Sequence, residues 1–259
     1  MYFDSHTHLN DPKLFDDIES VLSRAHHVNV KLFMVPSYDR DSVIRAIKIS
    51  KQYNNVYCAI GIHPSDCQIY SFEILGELEE LAKENKKIKA IGEIGLDYYW
   101  EKDLQKREYQ KLFFIQQIKL ANQLKLPIVI HVREAMEDTL EILKKNTPKH
   151  GFLMHCFSGS VESLKEVLKL GGYISLGGPV TFVNSKLPKE IAAFVPIERL
   201  ILETDAPYLT PHPFRGKTNE PMYLPLICKA IAEIKGVPEA VVAETTCKNT
   251  CHFFHVEMG

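Results

Sequence analysis

Short, nearly continuous apolar runs alternate with longer stretches of helical periodicity from one end of the chain to the other. Such runs fit parallel strands, which helices cover on both faces and which therefore have no polar side to alternate with. The predicted strands lie at Tyr2–Asp4, Lys31–Pro36, Val56–Ile62, Ile88–Glu93, Ile128–His131, Phe152–His155, Tyr173–Leu176 and Leu200–Glu203. Segments of helical character lie between them. The clearest helix spans Gln105 to Leu124, where Tyr109, Leu112, Phe113, Leu120 and Leu124 fall roughly on one side before Leu126-Pro127 ends it. Eight such β-then-α units predict an α/β fold, a closed (β/α)8 TIM barrel. A doubly wound open sheet shows similar alternation, and periodicity does not separate the two.

No internal repeat, low-complexity tract or linker interrupts the alternation, so residues 1–259 read as a single catalytic barrel domain. A length of 259 residues is what one such barrel commonly needs and is enough to bury a large core. No apolar stretch approaches the roughly 18 residues that would span a bilayer, so no membrane partner is expected. The N-terminal Met-Tyr-Phe-Asp-Ser-His lacks the basic-then-apolar pattern of a secretory signal, and a cytoplasmic location is expected. Cys58, Cys67, Cys156, Cys228, Cys247 and Cys251 form no C-x-x-C pair and read as reduced thiols. Cys247 and Cys251 belong to a predicted C-terminal helix, where packing is a commoner fate than soft-metal binding with His252.

In an α/β barrel the reactive groups stand at the C-terminal ends of the strands, where the loops converge on one rim. His6 and His8 follow the first predicted strand, His63 the third, Glu93 ends the fourth, His131 the fifth, His155 the sixth, and Asp205 follows the eighth. Alternate residues of an extended segment point the same way, so His6 and His8 can present two imidazoles to one ion. Mixed imidazole and carboxylate suits zinc, manganese or a related divalent ion rather than calcium. The set exceeds what one four-coordinate zinc requires, so two ions fit better. Glu93 would bridge them around a shared water or hydroxide, and Asp205 would bind one ion and take the proton of the attacking water.

The motifs His6-Thr7-His8, Gly92-Glu93-Ile94-Gly95-Leu96-Asp97, Ile130-His131-Val132-Arg133, His155-Cys156-Phe157-Ser158-Gly159 and Leu202-Glu203-Thr204-Asp205-Ala206-Pro207 resemble those of the TatD family. Gly61-Ile62-His63-Pro64 and the run from Arg215 to Pro221 add to the resemblance, which covers almost the whole chain. TatD-like proteins are metal-dependent deoxyribonucleases among the amidohydrolase-like TIM barrels. The resemblance therefore implies that fold, two divalent ions (Mg2+, Mn2+ or Zn2+) and a DNA substrate, single-stranded or at frayed 3′ ends. It makes His6, His8, Glu93, His131, His155 and Asp205 the metal residues, with Glu93 shared and Asp205 and Glu93 catalytic. It implies 3′ to 5′ exonuclease action releasing 5′ mononucleotides, with DNA repair among the open settings. Some relatives bridge their metals with a carboxylated lysine, whereas the fourth strand here offers Glu93. The arginine usual after Asn249 is replaced by Thr250, which bears on local packing.

A net charge of −2 excludes a broadly basic body, so a phosphate must be gripped locally. Arg133, Arg215 and Lys217 are candidate cations around the metals, Lys217 reading better as a solvated charge, and His63 is a candidate contact to phosphate or to a metal-associated water. Ser158 and Gly159, before a helix starting near Val161, offer backbone N–H donors. Tyr98, Tyr99, Trp100, Phe157, Phe182 and Phe214 either stack bases or pack loops. Asp4 and Glu203 are expected to orient metal-binding histidines, while Asp97 reads as a cap for its loop. The competing enzyme is a metal-dependent hydrolase of a carbonyl substrate: an amidohydrolase, lactonase or D-aminoacyl-tRNA deacylase. A catalytically silent barrel fits poorly, because all six metal residues are present.

Overall fold

A computed structural model describes residues 1–258. Its elements run β1 (Tyr2–Asp4), α1 (Pro12–Phe15), α2 (Ile18–His27), β2 (Val30–Pro36), α3 (Arg40–Gln52), β3 (Val56–Ile60), α4 (Ile74–Glu84), β4 (Ile88–Asp97), α5 (Leu104–Leu124) and β5 (Ile128–Arg133). They continue through α6 (Met136–Lys145), β6 (Phe152–Met154), α7 (Val161–Lys169), β7 (Tyr173–Leu176), α8 (Leu187–Phe194), β8 (Leu200–Leu202), α9 (Leu224–Lys235) and α10 (Glu239–Phe254). The eight strands pair in sequence order, every pair parallel. The ends of this sheet meet. Ser5 N donates to Leu202 O at 3.2 Å, Asp205 N to His6 O at 2.9 Å and His8 N to Ala206 O at 2.7 Å, while Thr7 bridges Ala206. The structure is a TIM barrel, and the open-sheet alternative falls away.

Strand alternation splits the core in two. Leu32 and Met34 of β2 point into the barrel with Phe3, Ala59, Ala90, Val129, Leu153 and Ile201, whereas Phe33 and Val35 face the helices. The last turns of α10 close the interior cluster with Cys247, Cys251, Phe253 and Phe254. Phe254 lies 6.2 Å from the Phe3 ring. This is the packing role expected of the two cysteines, and all six cysteines are free. Asn249 donates from Nδ2 to Ile197 O and Leu200 O at 2.7 and 2.8 Å, holding the chain that enters β8. Thr250 is buried and bonds back to Thr246 O within α10, so the missing arginine costs the helix nothing visible.

Two sequence expectations need correction. The face of α5 is not the apolar stripe drawn through Leu112, which is exposed; Gln110 and Gln117 are buried instead. Gln117 accepts from Ile62 N and donates to Ile62 O at 2.9 and 3.0 Å. Gln110 accepts from Asp97 N at 3.0 Å and donates to Pro64 O at 3.2 Å. Both side chains pair backbone groups that the ends of β3 and β4 would otherwise bury unsatisfied. The second correction is the length of β4, which runs past Glu93 to Asp97. Gly92 and Gly95 let β4 press against β5. A Cβ on Gly92 would stand 2.7 Å from Val129 Cβ, and one on Gly95 2.1 Å from His131 O. Glu93 therefore sits inside the barrel mouth rather than at a strand tip.

No helix among the described residues is long and apolar enough to cross a membrane.

Gly95 also has φ +141°, outside the range open to other residues. Gly95→Ala is expected to destabilise the protein by roughly 2–4 kcal/mol. Gly76→Ala, in open space on helix α4, should stabilise by roughly 0.5–1 kcal/mol. Urea denaturation midpoints of the two variants check both signs.

Candidate metal centre

Backbone hydrogen bonds place the ligand candidates before any side chain is considered. Thr7 N donates to Met34 O at 3.1 Å, so the strap after β1 is held to β2 on one side and to the segment after β8 on the other. His6 and His8 thereby flank a backbone that cannot shift without opening the barrel. Glu93 N donates to Ser37 O at 2.9 Å, and His155 N to Ile130 O at 3.0 Å. Asp205 takes a left-handed φ of 56°, unusual for a residue with a side chain and tolerated here because its N–H is tied to His6 O.

The two carboxylate oxygens of Glu93 face different imidazoles. Oε2 lies 3.3 Å from His6 Nε2 and 3.8 Å from His8 Nε2. Oε1 lies 2.9 Å from His131 Nδ1 and 2.8 Å from His155 Nε2. Asp205 Oδ1 completes the first set, 3.4 Å from His8 Nε2 and 3.8 Å from His6 Nε2. All six expected ligands are thus brought together around one carboxylate, in two groups that share it.

Burial alone would raise the Glu93 carboxyl, but the charges of His155 and His6 and hydrogen bonds with His131 and His155 hold it well below its ordinary range. Burial would likewise lower His155, yet Glu93 and Glu203 push it well above its usual value. For His131 burial is outweighed by Asp97 and then Glu93, and the shift is upward. Burial would raise Asp205, but His8, His6 and His155 lower it, which keeps it ionised.

Neither ring nitrogen of His6 has a hydrogen-bond partner, nor does Nδ1 of His8 or of His155. A buried polar atom left unpaired is costly, so a cation at His6 Nε2 would account for an imidazole that the protein leaves unsatisfied. The donor set, four imidazoles and two carboxylates, suits a divalent transition ion. Ligating imidazoles usually give their other nitrogen to an acceptor. Glu203 stands in that place for His155, 3.5 Å from Nδ1, and is itself fixed by Ser175 Oγ, which donates to its Oε2 at 2.5 Å.

Asp4 does not fill the corresponding role. Its carboxyl is taken by Thr204 N at 3.0 Å and Thr204 Oγ1 at 2.6 Å, with a longer contact from the His6 backbone N–H, and it touches no imidazole. It closes the β1–β8 seam instead. The acceptor for His131 is Asp97, whose Oδ2 is 3.0 Å from Nε2. Its other oxygen accepts from Tyr99 N and Trp100 N at 2.9 and 3.0 Å, which is the expected loop cap. The second task was legible in principle, because Asp97 stands an even number of residues from Glu93 on an extended strand.

His63 points Nε2 at Glu93 Oε1 from 3.7 Å. Its Nδ1 accepts from Ser65 N at 3.1 Å, so that nitrogen carries the lone pair and Nε2 carries the hydrogen. Burial, then His131, pushes its pKa down to about 3, keeping the ring neutral. His63 is therefore a hydrogen-bond donor toward the centre, not a ligand through Nε2.

The centre opens into a cavity of about 700 Å3 whose wall includes Tyr38, Asp66, Trp100, Arg133, Ser158 and Tyr208. Of the three expected cations only Arg133 lines it. Arg215 lies in a neighbouring pocket with Phe182, Asn184 and His212, its guanidinium carbon 3.7 Å from the centre of the Phe182 ring. Lys217 lies over Phe214. The loop folds back on itself, with Thr210 Oγ1 donating to Lys217 O and Asn219 Nδ2 to Tyr208 O, both at 2.5 Å, and Arg215 lines the separate pocket rather than the cavity of the candidate ligands. Ser158 reaches the cavity, while α7 is capped by Ser160.

Comparison with known proteins places this geometry in a family. The family model described as TatD related DNase matches residues 3–255. YabD of Bacillus subtilis, described as an uncharacterized metal-dependent hydrolase, is 43% identical over 257 residues, covering 99% of this chain and 100% of its own. YcfH of Escherichia coli, described in the same words, is 34% identical over 98% of this chain and 96% of its own. The crystal structure of YJJV, a TatD homologue from Escherichia coli, superposes with a TM-score of 0.94 at 29% identity, covering 99% of this chain and 98% of that one.

His131 and His155 carry protons held above the ordinary 6.5, so the metal-free centre gains from protonation below that value and loses the gain as pH passes the raised values. Metal must displace those protons. Zn2+ or Mn2+ added to chelator-treated protein should raise its thermal midpoint, with proton release seen by calorimetry in buffers of different ionisation enthalpy and affinity climbing with pH. Asp97→Asn and Glu203→Gln should each weaken binding about 10- to 100-fold. A midpoint unmoved by any divalent ion would count against the centre.

Proposed function

The chain belongs to the TatD related DNase family and is a metal-dependent hydrolase, and on that premise we propose that it cleaves DNA phosphodiester bonds as a 3′ to 5′ exonuclease using two divalent ions. The observation that carries the phosphodiester reading is Arg133. It lines the same cavity as Glu93 and Asp205, and no acidic side chain among the described residues pairs with it. An arginine left free of carboxylates beside a cation site is suited to a substrate that carries negative charge of its own.

His6, His8 and Asp205 would hold one ion and His131 and His155 the other, with Glu93 common to both. Ions there would supply Lewis-acid polarisation of a phosphoryl oxygen and a lowered pKa for water. Asp205, ionised and facing the cavity, accepts the proton of the water that attacks phosphorus. The P–O3′ bond breaks, and the same carboxyl returns that proton to the departing 3′ oxygen. Neutral His63 donates its Nε2 hydrogen to a phosphoryl oxygen, and the Arg133 guanidinium holds another. Glu203 and Asp97 keep His155 and His131 oriented throughout.

The test offers 5′-labelled single-stranded DNA, duplex DNA, RNA and aminoacyl-tRNA to protein loaded with Mg2+, Mn2+ or Zn2+. A ladder shortening from the 3′ end with release of 5′ mononucleotides is expected. Asp205→Asn should lower kcat about 100- to 10,000-fold, and Arg133→Ala should act mainly on KM. Release of amino acid without release of nucleotide under every metal would replace the nuclease with the carbonyl hydrolase.

A further inference from the structure

The six aromatic residues of the rim loops do not share one fate. Tyr98 and Phe157 are buried, Phe214 stacks on Tyr223 at 4.8 Å, and Phe182 lies beneath Arg215 outside the metal cavity. These pack loops. Trp100 differs: it lines the metal cavity and is 68% exposed, with Tyr99 beside it 40% exposed. Leaving large aromatic surface in water beside a reactive centre is unfavourable unless a partner covers it.

Both rings are held in position. Tyr99 meets Trp100 edge to face at 4.7 Å. The Arg133 guanidinium lies 3.8 Å from the Tyr99 centroid and 5.6 Å from that of Trp100. Their backbone N–H groups are bonded to Asp97, whose other oxygen meets His131, and His131 meets Glu93. A hydrogen-bond chain thus ties the aromatic loop to the centre, so a base resting on the indole and a phosphate at Glu93 would be held in a set relation. Tyr98 anchors the same loop from below, donating its hydroxyl to Asp138 at 2.6 Å.

We propose that Trp100, supported by Tyr99 and Arg133, is a stacking wall for the nucleobase next to the phosphate being cleaved. The proposal rests on the nuclease reading above and adds how the strand is positioned. Stacking uses the π-face that every base presents, so the wall selects for a base without selecting which one. It also gives a molecule of net charge −2 a grip on nucleic acid that does not depend on a basic surface.

Trp100 is the single tryptophan of the chain, so fluorescence excited selectively in tryptophan, beyond the tyrosine absorption band, reports on this wall alone. The full chain, kept metal-free with chelator, is titrated with a single-stranded thymidine hexamer and with a matched hexamer of tetrahydrofuran abasic units. Quenching by the first and not by the second is expected. In the metal-loaded enzyme, Trp100→Ala should reduce the ratio of kcat/KM for the base-bearing hexamer over the abasic one by about 5- to 150-fold, and Trp100→Phe should restore most of it. Equal quenching by both hexamers overturns the wall, as does a ratio unchanged in Trp100→Ala. Quenching without cleavage under any metal would keep the wall and remove the nuclease reading. Neither quenching nor cleavage removes both.

Discussion

Everything at the rim answers to one buried carboxylate. Glu93 is 4% exposed inside the barrel mouth, where a lone negative charge would cost several kcal/mol. Five imidazoles within 3.8 Å of its oxygens, those of His6, His8, His63, His131 and His155, offset that cost, and each of those imidazoles then needs its own anchor. Glu203 and Asp97 supply two of the anchors, and the close approach of β4 to β5 through Gly92 and Gly95 supplies the space. The arrangement is balanced for cations: with ions present the imidazoles need no protons, and the carboxylate keeps its charge.

Barrel closure and ligand placement are one event. The strap carrying His6 and His8 makes the backbone bonds that join β1 to β8 and also reaches β2. Asp4 and Thr204 seal the seam beneath it with a fully buried pair of hydrogen bonds. Burial pushes Asp4 up to about 8 against the opposing bonds from Thr204 and His6, with Glu203 adding a smaller upward push, so at neutral pH this seam favours the protonated carboxyl. Anything that loosens the seam misplaces two imidazoles and Asp205 together, which couples global stability to the chemistry.

Outward from Glu93, order passes through His131 to Asp97 and from there to the loop of Tyr99 and Trp100. The opposite rim loop turns in on itself and holds Arg215 in its own pocket. The cavity is therefore asymmetric, with its one lining arginine and its most exposed lining aromatic ring, Trp100, on the side of β4 and β5, and Tyr208 lining it from the loop after β8. A substrate entering it meets different chemistry on its two flanks.

Some of this was readable along the chain because it depends on local order. Apolar runs alternating with helical periodicity marked eight strands, strand-end position gathered His6, His8, His63, Glu93, His131, His155 and Asp205, and the family resemblance set His63 apart from the other six. What separates residues in space was not readable. Asp4 and Glu203 look alike as acids beside strand ends, yet a hydroxyl from Thr204 claims the first and an imidazole meets the second. Gln110 and Gln117 look like surface residues until the unpaired backbone at the ends of β3 and β4 is seen beneath them. That Gly92 and Gly95 make room for β5 shows only once β5 lies against them. Arg133 and Arg215 are equal candidates as letters, and the folding of one loop onto itself parts them. Pattern alone determined the eight strands and the chemistry-bearing residues at their ends, because strand periodicity is a property of neighbours in sequence, whereas closure into a barrel rests on the backbone bonds that join β1 to β8. Partner choice among polar groups belonged to the tertiary structure, because a buried donor or acceptor is settled by whichever distant group reaches it.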